Sequence, residues 1–88
     1  MGNTASLDAF DSMIKKLNSF QDLQEELIKN LKKSYEQIGQ DWNDIKYKEF
    51  GEYLEPVYNA SNESYNCMAD CVYKMKELRN ALESYLNS

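Results

Sequence analysis

The sequence predicts an all-α chain: one antiparallel two-helix hairpin, a helix-turn-helix coiled coil that pairs into a four-helix bundle. Three observations carry this. The first is a pair of seven-residue apolar repeats that mirror each other about Trp42 and Asn43. The second is a composition with only three glycines and one proline in 88 residues, of which 28% are charged, which suits long helices. The third is a cluster of turn formers, Asp41, Asn43 and Asp44, between the two repeats.

The rising repeat reads Leu7, Phe10, Ile14, Leu17, Gln21, Gln24, Ile28, Leu31, Tyr35, Ile38. The returning one reads Tyr47, Phe50, Leu54, Val57, Ser61, Ser64, Met68, Cys71, Met75, Leu78. Steps of three and four alternate, the spacing of a helix face that meets a neighbouring helix along its length. Paired antiparallel, facing positions sum to 85, and Gln21 and Gln24 then meet Ser64 and Ser61. Such a polar layer either fixes register by hydrogen bonding or forms a wet, weakly packed waist.

The chain is a single helical-hairpin domain over residues 1–88. A first helix is expected over about 6–40, after a frayed start, with Asn3 or Ser6 as its cap and Asp8 in its first turn. A turn at 41–44 follows. Asp44 is the expected N-cap of the second helix, its carboxylate accepting from the amides of Lys46 or Tyr47. The second helix is expected over about 45–86. Pro56 lacks the amide that would bond Glu52, and Gly51 loosens the same turn, so a kink near 52–56 is expected.

A second apolar stripe flanks each seam. On the first helix it is Met13, Phe20 and Leu27, with Leu23 a turn away. On the second it is Tyr58, Tyr65, Val72 and Leu86, broken by Arg79. A two-helix seam does not need this width. Either these side chains flank and shield the thin core, or they form a docking surface; the candidate dimer interface is then Met13, Phe20, Leu23, Leu27, Tyr58, Tyr65 and Val72, with a helical hairpin as the partner. A small chain with so thin a core gains from such a partner.

Charge and composition exclude other classes. A net charge of −5 gives no basic surplus for nucleic acid or for an anionic membrane. The apolar runs are too short to span a bilayer, and the first twenty residues lack the pattern of a conventional signal peptide. Gly2 with Ser6 fits an N-myristoylation pattern, and also fits an ordinary permissive start. Asn59 and Asn62 each head a glycosylation triplet, of little meaning without a signal peptide. Cys67 and Cys71 stand four apart. Cys71 is expected to pack in the seam, the alternatives being an intermolecular disulfide or metal and redox chemistry. With no histidine and no base beside a serine or cysteine, no catalytic set, cofactor site or metal site is expected.

The bend runs Asp41-Trp42-Asn43-Asp44-Ile45-Lys46-Tyr47-Lys48-Glu49-Phe50. A short helical hairpin with Trp at its bend and an aromatic eight positions later resembles the WXG-motif (ESAT-like) family of small type VII secretion proteins. Trp42 matches the motif tryptophan and Phe50 the downstream aromatic. Asp44 stands where the motif has glycine. The family's Tyr-x-x-x-Asp/Glu signal is matched by Tyr73 and Glu77. The resemblance implies a bacterial protein, made in the cytoplasm and secreted by a non-classical (type VII) route. It implies homodimers or heterodimers, and a role as secreted partner or as targeting adaptor for a toxin with a similar helical head. The alternative is an intracellular coiled-coil scaffold with no transport role.

Overall fold

The computed structural model describes residues 2–88, with side chains from Ala5 onward. It consists of two α-helices, α1 (Gly2–Asp41) and α2 (Ile45–Leu86). They fold back on each other as a rod of 67 × 16 × 13 Å. The predicted hairpin is thus observed.

Helix α1 ends where Trp42 N–H donates to the Ile38 carbonyl at 3.1 Å. Trp42 and Asn43 leave the helix, and Asp44, in extended conformation, caps α2. Its Oδ1 accepts from Lys46 N at 2.9 Å and Tyr47 N at 3.2 Å, as expected of a short acidic side chain before a helix. At the other end α1 begins at Gly2, so Asn3 and Ser6 lie within the helix and Asp8 lies beyond the first turn. Helix α2 runs unbroken through Pro56. The turn at 52–56 stays helical across the one missing donor.

The register is the expected one. Gln24 Nε2 donates to Ser61 Oγ at 3.0 Å and to the Ser61 carbonyl at 3.2 Å. The buried Gln21 instead donates to the Tyr65 carbonyl at 3.1 Å, and Ser64 faces outward. The core centres on Ile14, Val72 and Met75, with Phe10 and Leu17 packed against it.

On α1 the inward positions follow the predicted seam, apart from Leu31, which is 36% exposed, and Ile38, whose place Gly39 takes. On α2 one row is corrected. Tyr47, Leu54, Ser61, Met68 and Met75 face α1 as expected, but their companions are Gly51, Tyr58, Val72 and Arg79. Phe50, Val57, Ser64, Cys71 and Leu78 are exposed. The physical reason is visible at both ends of the row. Tyr35 lies over Gly51, where a Cβ would stand 2.4 Å from its hydroxyl oxygen. Arg79 reaches Asp11 at 3.0 Å and Glu83 at 2.7 Å. A glycine and an arginine therefore fit a seam from which their residue types would exclude them.

The hairpin closes at its tip with a reciprocal clasp. Tyr35 Oη donates to the Tyr47 carbonyl, and Tyr47 Oη to the Tyr35 carbonyl, both at 3.0 Å. The rings stack at 4.3 Å and 9°. Each hydroxyl end occupies the space over a glycine of the opposite helix, Tyr35 over Gly51 and Tyr47 over Gly39. Only a residue without a Cβ admits a ring at that distance. Burial and the bond to Tyr35 both raise the Tyr47 hydroxyl above its ordinary pKa.

Candidate functional site

The long flanks of the rod differ in chemistry. One is polar. There Arg79 bridges Asp11 and Glu83, and Lys32 Nζ lies 5.1 Å from the centre of the Tyr58 ring. The bonds it donates to Asp11 and Glu83 raise the Arg79 guanidinium above its ordinary pKa. An open groove of about 810 Å³ runs along this flank past Glu25, Lys29, Glu55 and Asn62. Beside it, Gln24 Oε1 and Tyr58 Oη have no hydrogen-bond partner among the described residues.

The opposite flank is apolar. Met13, Phe20 and Leu27 each precede an inward residue of α1, and Phe50, Val57, Cys71 and Leu78 each precede one of α2. In an antiparallel pair of helices the residues just before the inward ones turn to the same side. These two rows therefore share one face, away from Asp11 and Lys32. Met13, Phe20, Leu23 and Leu27 are 55–57% exposed, and Phe50, Val57 and Leu78 are 42–49% exposed. An exposed apolar strip of this length, backed by a polar flank, has the character of an interaction surface.

Of the residues expected at a dimer interface, the four of α1 are exposed on this face. Those of α2 lie elsewhere. Val72 is 6% exposed and belongs to the hairpin core. Tyr58 also turns inward, and Tyr65 sits at the edge of the seam beside the polar groove. Their places on the outer face are taken by Phe50, Val57, Cys71 and Leu78. The signal that could have found this was Arg79. An arginine two turns from the end of α2, with Asp11 opposite and Glu83 four residues on, can close a seam as an ion pair.

Both cysteines are free and exposed, so Cys71 does not pack in the seam. Among the described residues no group of three or more His, Cys, Asp or Glu is placed to hold a metal ion. No helix is long and apolar enough to cross a membrane, among the residues described.

The bend residues gather at the tip. Trp42 packs edge-on against Tyr47, with ring centres 6.1 Å apart, and stays 41% exposed. Phe50 stacks on Tyr35 at 5.8 Å. Burial by itself would raise the Asp44 carboxyl. Hydrogen bonds from the Trp42 side chain and from the Tyr47 and Lys46 amides outweigh it and hold the group below its ordinary value. Tyr73 and Glu77 lie on successive turns near the open end. Both are exposed, and Glu77 pairs with Lys74 at 3.4 Å.

No family model, no curated protein and no solved structure matches this chain.

Proposed function

We propose that this chain is a WXG-like type VII secretion protein, a secreted partner or toxin-targeting adaptor, and that it acts by docking its apolar flank onto another helical hairpin. The observation that carries the reading is the two-faced rod. Met13, Phe20 and Leu27 of α1 share one exposed face of the rod with Phe50, Val57 and Leu78 of α2. The Trp42 bend supports the family part of the reading. Asp44 performs the cap that ends the bend, so the glycine of the motif is not needed for that turn. Tyr73 and Glu77 would serve as the export mark, being exposed and one turn apart. Catalysis and cofactor binding have no part in this function.

The test is export from a bacterium carrying a type VII machine, compared with the same strain lacking the machine's membrane ATPase. The wild-type chain is expected in the medium only when the ATPase is present. The doubly substituted Tyr73→Ala, Glu77→Ala chain is expected to fold normally and stay inside the cell. Point substitutions serve better than a C-terminal deletion, because Met75 and Arg79 belong to the hairpin. Retention of the wild-type chain in both strains would overturn the secretion reading in favour of the scaffold. Export of the substituted chain would remove the signal assignment.

A further inference from the structure

We infer that Cys67 and Cys71 form a two-thiolate site for a soft monovalent metal ion, Cu(I). The site is independent of the docking role. Both cysteines are free and exposed, and they are the only two in the chain. They stand four residues apart within α2. Side chains at that offset lie one turn apart on the same side of a helix, with Cβ atoms about 5–6 Å from each other.

The helix holds the pair open. A disulfide needs its Cβ atoms about 3.5–4.5 Å apart, so closing one here would require the turn at 67–71 to unwind. The residues that follow the two cysteines oppose this. Met68 faces α1, and Val72, 6% exposed, is part of the core with Met75. A metal ion fits where a disulfide does not. A metal–thiolate bond is about 2.3 Å long, so two such bonds in line span about 4.6 Å, a separation that rotation about the two Cα–Cβ bonds reaches without moving the backbone. The choice of metal follows from the ligand set. The chain has no histidine, and among the described residues no group of three His, Cys, Asp or Glu is placed to hold a metal ion. Zn(II) in a structural site takes four ligands. Cu(I) is soft, has a filled d shell, and is satisfied by two thiolates in line. On binding, each S–H bond breaks and its proton passes to solvent, while each sulfur donates a lone pair to the new S–Cu bond. No electron changes hands, and copper stays monovalent.

The probe is Cu(I), added as its acetonitrile complex under nitrogen to the full chain in competition with a coloured Cu(I) chelator. Each chain should take up one copper, with helix content by circular dichroism unchanged and two sulfur neighbours seen by X-ray absorption. Zn(II) at the same concentration should not displace it. Cys67→Ser and Cys71→Ser should each weaken uptake about a hundredfold, because one thiolate leaves the ion half coordinated. The decisive variant keeps both thiols and changes only their spacing. Cys71→Ser with Ala69→Cys sets them two residues apart, where side chains do not face each other, and it should lose uptake to the same extent. Position 69 is exposed, so the hairpin stays folded. Absence of uptake, uptake that persists in the respaced variant, or one copper shared between two chains would overturn the site.

Discussion

Replacing Gly51 by alanine should destabilise this protein, although the same change in an ordinary helix stabilises it. In a helix interior Gly→Ala gains about 1 kcal/mol, because alanine loses less backbone entropy on folding. Here the new Cβ would stand 2.4 Å from Tyr35 Oη and 3.0 Å from Cζ, so the ring must leave. Its hydrogen bond to the Tyr47 carbonyl goes with it, a loss of about 1 kcal/mol. Much of its stacking on two neighbouring rings also goes, a further loss of about 1 kcal/mol. The net expectation is a destabilisation of about 1 kcal/mol, read as a lower urea midpoint by circular dichroism at one fixed protein concentration. The decisive control is the same substitution in a Tyr35→Leu background. With the ring absent, Gly51→Ala should stabilise by about 1 kcal/mol, so the double-mutant cycle should show a coupling of about 2 kcal/mol. If Gly51→Ala stabilises both backgrounds alike, the tyrosine does not need the glycine and the account of the clasp is wrong.

Three further outcomes are expected. Ile14→Ala should cost about 2 kcal/mol, the low end for such truncations because the core is thin and the cavity opens to solvent; denaturant titration measures it. On the docking role proposed above, Phe20→Glu combined with Leu27→Glu should abolish association with a partner hairpin without loss of helix, since both side chains are exposed in the hairpin; light scattering with circular dichroism reads both, and an unchanged mass of the complex removes this face as the interface. The Asp44 carboxyl is held below its ordinary value of 3.8, so its stabilising effect is fully present above that pH and is lost as pH falls through the folded value. Asp44→Asn, which still caps but does not titrate, should therefore show a shallower fall in melting temperature below about pH 4, and parallel curves would show that the cap's charge contributes nothing.

Much of the hairpin was legible because its signals are local or periodic. Trp42, Asn43 and Asp44 mark the bend through ordinary turn and cap chemistry. The Gln24–Ser61 layer sets the register because a polar pair inside an apolar seam has one good alignment. The choice between the two rows of α2 was not legible in the same way. The rows at Phe50, Val57, Cys71, Leu78 and at Gly51, Tyr58, Val72, Arg79 have the same period, and the first is the more apolar. What selects the second is long-range. Gly51 is accepted because Tyr35 fills the space above it, and Arg79 because Asp11 waits 68 positions away. Hydrophobic periodicity carries neither fact, since it weighs each helix alone. The continuity of α2 through Pro56 was hidden for a related reason: the helical bonds of the neighbouring turns decide whether that turn opens, and the residue alone does not.

The tyrosine clasp also implies an order of assembly. Tyr35 and Tyr47 are twelve positions apart, whereas the ion pair at the far end joins residues separated by 68. Closing the shorter segment sacrifices less chain entropy and can happen first. Once the two rings have locked, every later pair is brought within reach by the one before it, as in a fastener drawn from its closed end.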